Sequence, residues 1–526
     1  MPVIFPTSSS FDAGASNAAG VASATRVLIV GAGPTGLVLA INLARRGVPF
    51  RLIDAAQGPG EHSRAIVVQA RTLEFYQQLG FANAVVAEGI VAQRIHFRES
   101  ARDGRSRELI QLRFGEIGKG LSPYPFALIY PQDDHERFLE KRLAESGIRV
   151  EWSTTLTGLT QSETGVRATV RGPNGEEEIA AEYLCGCDGA HSEVRQALGL
   201  GFAGRTYEQP FFVCDCKVAS GFETDLYANL GEDALALLFP VRLSGMQRLI
   251  GLVPPELSNA QDLTFDDIRG SIEPLIGKTV TEINWFAVYR VHHRVAERFR
   301  SGRAFILGDA AHIHSPAGGQ GMNTGIGDAM NLGWKLADVL SNRASESILD
   351  SFNEERLGFA RALVATTDRA FTAMVSPGMR GELLRRVVAP IGFLAATQLS
   401  ITRAMFFRIV SQIQIRYPDS SLSEGQAGEV HGGDRLPWVE SDDNFAPLRS
   451  LDWQLHVYGE PAADVSACCA RLSVALAQFP WNRDAERAGF ARDAGYLVRP
   501  DGYVALAFDA DETSALEPYA RRISLS

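Results

Sequence analysis

The chain is 526 residues long, enough for two large domains or three to four of ordinary size. Its 45% hydrophobic and 21% charged residues exclude a mostly disordered polymer. A net charge of −11 with no long basic run gives no electrostatic support to a nucleic-acid or anionic-membrane surface, so small molecules are the expected partners.

Six cysteines are too few for a disulfide scaffold and imply a reducing, cytoplasmic setting. The C-x-C pairs Cys185/Cys187 and Cys214/Cys216 alternate within strand-like runs, where same-face packing is a plainer reading than zinc, and no metal site is expected. No apolar run reaches the roughly 18 residues of a membrane span.

Residues 1–24, rich in Ser, Ala and Gly and without Lys or Arg, read as a floppy extension rather than a secretory signal. RVLIV then predicts a strand, GAGPTG a turn, LVLAINLARRG a helix and VPFRLID a second strand. DDHERFLEKRLAESG (133–147) reads as helix and IRVEW (148–152) as strand; GVRATVRG and EEEIAAEYLCGCD flank the hairpin turn Asn174-Gly175, and HSEVRQALG reads as helix. Between about 205 and 300, FFVCDCKVA, ALALLFPV, RLIGLV and INWFAVYRVHHRV predict an antiparallel sheet with one helical insert, FDDIRGSIEPLIG. RAFILGD (303–309) returns as a buried strand, residues 322–340 as a helix, and helical sequence runs on to about Arg416. The last hundred residues form a distinct small α/β unit, with WQLHVYG strand-like, SACCARLSVALAQF helical and YLVRPDGYVALAF strand-like.

Gly31, Gly33 and Gly36 make G-x-G-x-x-G directly between a strand and a helix. There the first glycine permits the turn, the second admits a pyrophosphate, the third lets helix and strand close, and the helix N-terminus favours the anion. Pro34 and Thr35 complete the turn. Asp54, 23 residues after Gly31 at the end of the next strand, is placed to accept ribose hydroxyls. A second match at Gly199, Gly201 and Gly204 precedes no helix and reads as chance. In RAFILGDAAHIHSPAGGQGMN, Asp309 ends a strand, and a loop with Gly318, Gly319 and Gly321 leads into a helix from Met322 and Asn323. A carboxylate there suits a ribityl chain, and a helix N-terminus suits the negative edge of a reduced flavin, which a nicotinamide site does not need.

GAGPTG, CGCDGAHSEVRQALG and GDAAHIHSPAGGQGMN, in this order, resemble the three fingerprints of class A flavoprotein monooxygenases of the p-hydroxybenzoate and phenol hydroxylase type, over about residues 26–415. The resemblance implies an α/β fold: a Rossmann-like, glutathione-reductase-type FAD-binding domain (25–200 and 295–375, with parts of 90–130 joining the next unit) and an antiparallel-sheet substrate domain (201–294). A helical region and linker (376–424) would lead to a C-terminal domain (425–526) that resembles the thioredoxin-like one of the phenol and polyketide hydroxylases. Cys468 and Cys469 are adjacent there and no C-x-x-C exists, so no thiol exchange is expected.

By position, the resemblance gives Arg64 to the pyrophosphate and ribityl chain, Gln132 to the ribityl side, Asp309 to the ribityl hydroxyls, and Asp188 with Arg195 to FAD and nicotinamide. Arg64, Gln132 and Asp188 each keep a surface or capping alternative. Pro316 with Gly318 and Gly319 would line the flavin face. The implied activity is that of an NAD(P)H- and O2-consuming monooxygenase, in which a flavin C4a-hydroperoxide delivers oxygen to a phenolic or related aromatic ring. His62, Tyr289 and Arg290 are candidates to promote phenol ionisation. A monomer or homodimer is expected. The alternatives are another chemistry on the same fold (epoxidase, halogenase or reductase), although the W-x-W-x-I-P of halogenases is missing, or a flavin-binding protein without turnover.

Overall fold

In the computed structural model, residues 23–61, 65–100, 105–207, 209–221, 223–231, 234–241, 245–314, 319–375 and 400–525 are described. Val27 to Val30 are buried because strand β1 (Ser23–Val30) has neighbours on both edges and cover on both faces. It begins at Ser23, inside the stretch read as extension. Helix α1 (Pro34–Arg45) opens on Pro34, where a missing N–H is harmless, and Gly47 at φ +67° turns the chain into β2 (Phe50–Ile53), parallel to β1 with Ile53 opposite Val30. Residues 148–152, expected as a strand, are not one. A single bridge joins Glu151 to Ile53, and Ser153 at φ +55° breaks the extension, so this segment only fixes the Asp54 main chain.

Helix α2 (Ala70–Gln78), the hairpin of β3 (Arg94–Ser100) and β4 (Ser106–Arg113), and helix α3 (Gln132–Glu145) follow. The hairpin predicted at Asn174-Gly175 joins β5 (Val166–Gly172) to β6 (Gly175–Gly186), with Gly175 at φ +109°. The far half of β6 lies parallel to β1, and helix α4 (Glu193–Ala197) follows it. GLGFAG runs into a strand at 202–206, so it offers no helix N-terminus.

The second sheet is built from β7 (Phe211–Val218), β8 (Leu226–Leu230), β9 (Leu235–Val241) and β10 (Met246–Leu252), then helix α5 (Phe265–Ile276) and β11 (Val280–Tyr289). Its order is β11-β7-β10-β9-β8-β3-β4, so the 94–113 hairpin joins it. Phe212, Cys214, Cys216 and Val218 share the face covered by Phe265, Ile268 and Ile272 of α5, which accounts for that C-x-C pair. The run INWFAVYRVHHRV divides at Arg290, and residues 292–296 pair instead with 202–206.

Strand β12 (Ala304–Ile306) returns to the first sheet, whose core order is β12-β6-β1-β2, all parallel. Helix α6 (Gly321–Leu340) lies so close to α1 that a Cβ on Gly333 would stand 2.6 Å from Asn42 Nδ2. Helix α7 (Asp350–Val375) packs beside it.

The C-terminal sheet contains β13 (Gln454–Tyr458), helix α8 (Ala463–Arg471), β14 (Ala475–Phe479), β15 (Gly495–Val498), β16 (Val504–Phe508) and helix α9 (Leu516–Ile523). Two short strands, Val430–His431 and Glu424–Ala427, extend the sheet at the β16 edge, and from there the order is β16-β15-β13-β14, with β13 and β14 parallel and β15 antiparallel to both its neighbours. Residues 466–479, expected to be helical throughout, divide at Ser473 (φ +53°): ALAQF is β14, because pairing with β13 outweighs the helix propensity of Ala and Leu. No helix among the described residues is long and apolar enough to cross a membrane.

Candidate flavin and substrate site

The three fingerprints meet at the carboxyl ends of β1, β6 and β12, where open parallel sheets bind ligands. Gly31 has φ +104°, and a Cβ there would stand 2.4 Å from the Cys187 carbonyl oxygen; one on Gly36 would stand 1.9 Å from that of Gly31. The first fingerprint is thus pressed against the second. Gly33 has no described atom within 4 Å of where its Cβ would be and, as the N-cap, has no side chain to cap α1, which suits a helix N-terminus that receives an anion.

Asp54 Oδ2 accepts from Ala32 N–H at 2.6 Å and Oδ1 from Ala56 N–H at 2.8 Å. A carboxylate has about four acceptor sites, so ribose hydroxyls can still bind. Glycine cradle, uncapped helix and oriented carboxylate together fit the adenosine diphosphate half of FAD.

Thr35 joins the first and third fingerprints. Its side chain fills the notch between Gly308 and Gly325, where added Cβ atoms would lie 2.7 and 2.3 Å from its Oγ1. Asp309 is exposed just beyond, and Gly308 N–H donates to Asp328 Oδ2 at 3.0 Å. That buried carboxylate also meets His312 Nε2 at 2.7 Å and accepts from Arg356 Nε at 2.6 Å. Burial alone would raise the Asp328 carboxyl; Arg356 and His312 more than offset it and hold it below the usual range. Asp328, His312 and Arg356 were not singled out from sequence. The one local signal was an aspartate inside the apolar helix IGDAMNL.

The N-cap Gln320 gives helix α6 no side-chain cap and its first turn carries no acid, which suits an anion-facing N-terminus. Gly319 (φ +61°), Gly321 and Met322 stand there. The Asn323 side chain is fully engaged: Oδ1 accepts from Gln69 N–H and Thr72 Oγ1, and Nδ2 donates to the Val67 and Gly319 carbonyls. Only its backbone N–H could serve a cofactor. Gln132 opens α3, and its amide donates to Glu136 Oε1 at 2.8 Å. Burial raises the Glu136 carboxyl, and the bonds from Gln132 and Gly60 lower it in part.

Asp188 follows its capping alternative, accepting from Ser192 Oγ at 2.6 Å and Val194 N–H at 3.1 Å at the head of α4. Arg195 is buried and donates to the Ala190 and Ala310 carbonyls. It ties the second fingerprint to the third. His62, Arg64, Pro316 and Gly318 lie outside the described residues.

The second sheet turns its other face to the flavin domain. Phe211, Val213, Ile250, Leu252, Leu235, Leu237, Trp285, Ala287 and Tyr289 share it by register. Phe239 and Val241, at one end of this sheet, pack on the flavin-domain core. Tyr289 is half-buried, with its ring stacked 5.9 Å from Phe211. Arg290 is exposed, and its Nη2 points at the Ser258 carbonyl, 3.5 Å away, at the rim. The structure therefore brings Tyr289, but not Arg290, onto the aromatic face.

Residues 24–367 match the model of a family described as FAD binding domain. The chain is 33% identical to 6-methylpretetramide 4-monooxygenase of Streptomyces rimosus, over 94% of this chain and 93% of that protein. It is 31% identical to pentachlorophenol 4-monooxygenase of Sphingobium chlorophenolicum, over 81% of this chain and 77% of that protein. Among solved structures it is similar to an anhydrotetracycline hydroxylase from Streptomyces rimosus, at a TM-score of 0.76 and 26% identity, over 96% of this chain and 99% of that one. With the fingerprints joined at one sheet edge and relatives matched over 93% and 77% of their length, the chain belongs to the FAD binding domain family and is an FAD-dependent aromatic monooxygenase.

Proposed function

We propose that the substrate is a phenol, mono- or polycyclic, that lies along the aromatic face of the second sheet with one ring at the mouth of the glycine turns. The observation that carries this reading is the apolar run from Tyr289 and Trp285 on β11 to Leu237 on β9, half-buried at both ends and buried at Val213 and Ile250 between them. It crosses four strands, roughly 14 Å at strand spacing, which is long enough for fused rings. Bound FAD would take electrons from NAD(P)H and hand them to O2, the part of the reaction no side chain can supply.

The chain's own residues do the rest. The turn Gly31–Gly36 binds the pyrophosphate through the backbone N–H groups of Gly33, Thr35 and Gly36, with Gly31 and Pro34 shaping the turn, Asp54 orients the ribose, and Asp309 orients the ribityl hydroxyls. The N–H groups of Gly321, Met322 and Asn323 face the negative edge of the ring, and Gln132 is the α3 residue beside the ribityl side. The apolar sheet face keeps water from the reacting ring. The order β16-β15-β13-β14 with β15 reversed supports a thioredoxin-like C-terminal domain.

Purified protein should be yellow, and a panel of monocyclic and fused-ring phenols should include some that stimulate NADPH oxidation and O2 uptake and yield a product gaining one oxygen. Flavin-loaded protein that no phenol in the panel stimulates would refute the substrate class.

A further inference from the structure

One buried side chain reaches the head of α6 from outside the three fingerprints. Gln412 lies two residues beyond the helix Ser400–Val410, is 4% exposed and has φ +63°. Its Nε2 donates to Thr324 Oγ1 at 3.0 Å and reaches the carbonyl oxygen of Gln320, 92 residues back along the chain, at 3.4 Å. Thr324 Oγ1 and Thr324 N–H each donate to that same carbonyl at 2.9 Å. Gln320 is the N-cap of α6, so the amide acts on the helix end that the third fingerprint builds.

The backbone at this position favours glycine. The second residue after a helix often takes a left-handed conformation, which glycine adopts freely and a residue with a Cβ adopts at a cost. Burying an amide is unfavourable as well unless it is bonded. Gln412 combines both costs where its side chain can reach Gln320, and strained residues of this kind cluster at functional sites. Its place is fixed by Ser411, whose carbonyl accepts from Arg71 N–H at 3.1 Å in the first turn of α2.

We propose that Gln412 is a positioning residue of the flavin site: acting through Thr324, it holds the Gln320 carbonyl so that the Gly321 N–H stays aimed out of α6 at the negative edge of the flavin ring. The inference rests on the reading that α6 faces that edge, and adds the residue that fixes one of its donors. A peptide unit is planar and trans, so the Gln320 C=O and the Gly321 N–H point in opposite directions, and holding one aims the other. Bonds to the carbonyl also polarise the peptide and strengthen its N–H as a donor. The preceding peptide is held in the same way, its Gly319 carbonyl accepting from Asn323 Nδ2 at 2.9 Å. A donor fixed in advance favours the reduced flavin, which carries the negative charge, over the oxidised one, and so raises the midpoint potential.

The test measures the midpoint potential of bound FAD in the holoenzyme, beside its stability in urea. Gln412→Met keeps the size of the side chain and removes the donor. It should weaken the preference for reduced over oxidised flavin about fivefold, a fall of about 20 mV for a two-electron couple. Thr324→Val breaks the relay at its middle and should give a fall of the same size, and the double variant should fall no further than Thr324→Val alone. Gln412→Gly relieves the positive φ and should lower the potential all the same. A fall of less than about 10 mV in Gln412→Met, or falls that add in the double variant, overturns the proposal. So does a change in urea midpoint with the potential kept, which is what a purely structural role would give. If Gln412→Met does not fold or hold FAD, Thr324→Val and Gln412→Gly decide: a potential lowered in both supports the proposal, and one kept in either overturns it. Met322→Glu places an acid in the first turn of α6 and should lower the potential or weaken FAD binding. If it does neither, the reading that α6 faces the ring falls; if it does and Gln412→Met has no effect, this inference alone falls.

Discussion

Replacing Glu355 by Gln should loosen the C-terminal domain from the flavin domain. Glu355, on α7, has no exposed side-chain surface and accepts from Arg499 Nη1 at 2.6 Å and Nη2 at 3.0 Å, Lys335 Nζ at 2.9 Å, Asn331 Nδ2 at 2.6 Å and Ser420 Oγ at 2.7 Å. Burial would raise its carboxyl, but Arg499 and Lys335 outweigh that and hold it well below the carboxylate range. With Asp501 on the far side of Arg499, the cluster is neutral: two acids and two bases. Gln at 355 leaves one buried positive charge without a partner, a loss of about 3–5 kcal/mol.

Burial already lowers Lys335 to about 8, so in the variant it should shed its proton near pH 7. The unfolded chain would keep that proton, so the variant's stability should rise by about 1 kcal/mol from pH 7 to 8, against about 0.3 kcal/mol for wild type. Trp334 and Trp453, 5.3 Å apart at this junction, report the transition by fluorescence in a urea titration. A midpoint within about 1 kcal/mol of wild type at pH 7, or a deficit that grows as pH rises, would refute the reasoning.

Gly36→Ala should yield colourless protein, because the new Cβ would stand 1.9 Å from the Gly31 carbonyl oxygen and open the turn; normal flavin content would show that the turn relaxes. His135 and His456 are buried and held neutral, their pKa lowered by burial from 6.5 to about 3. Below pH 6.5 the unfolded chain takes up protons the native state refuses, so stability should fall towards pH 3 by about 1.4 kcal/mol per unit for each, and His135→Phe should remove one share of that slope in acid unfolding. Changing Cys468 and Cys469 to Ser should leave hydroxylation intact, since burial raises both thiols, Cys469 to about 11; loss of activity with folding preserved would restore a thiol role.

The parts of the site carried by local chemistry were legible in the sequence. A strand, a glycine turn and a helix in immediate succession need no distant partner to be recognised, and neither does a hairpin at Asn174-Gly175. Asp54 was legible because a strand of known length fixes where its end must fall. Gln412 was not, because 92 residues separate it from Gln320 and nothing in FRIVSQIQI says that its amide meets the head of α6. The same limit hid the split in SACCARLSVALAQF: the helix propensity of ALAQF is genuine, and only its pairing with β13 overrides it. Asp188 was legible as a position, and a carboxylate before a short helix caps it as the sequence also allowed.

Adjacent residues of α7 connect what the sequence kept apart. Glu355 is held by Arg499 of the C-terminal domain, while Arg356 reaches Asp328 and, through it, the Gly308 N–H beside Asp309. Tyr417 closes the circuit: its hydroxyl accepts from Arg356 Nη1 at 2.8 Å and its ring stands 4.6 Å from Tyr503, two residues beyond Asp501. Successive helical residues diverge by about 100°, so one turn of α7 presents an acid to one domain and a base to the other. The C-terminal sheet thereby contributes to the shape of the Gly308 turn although none of its residues carries a flavin fingerprint. The C-terminal domain thus has a physical reason to remain attached to this enzyme: it supplies the charges that keep α7, and the turn α7 supports, in a single position.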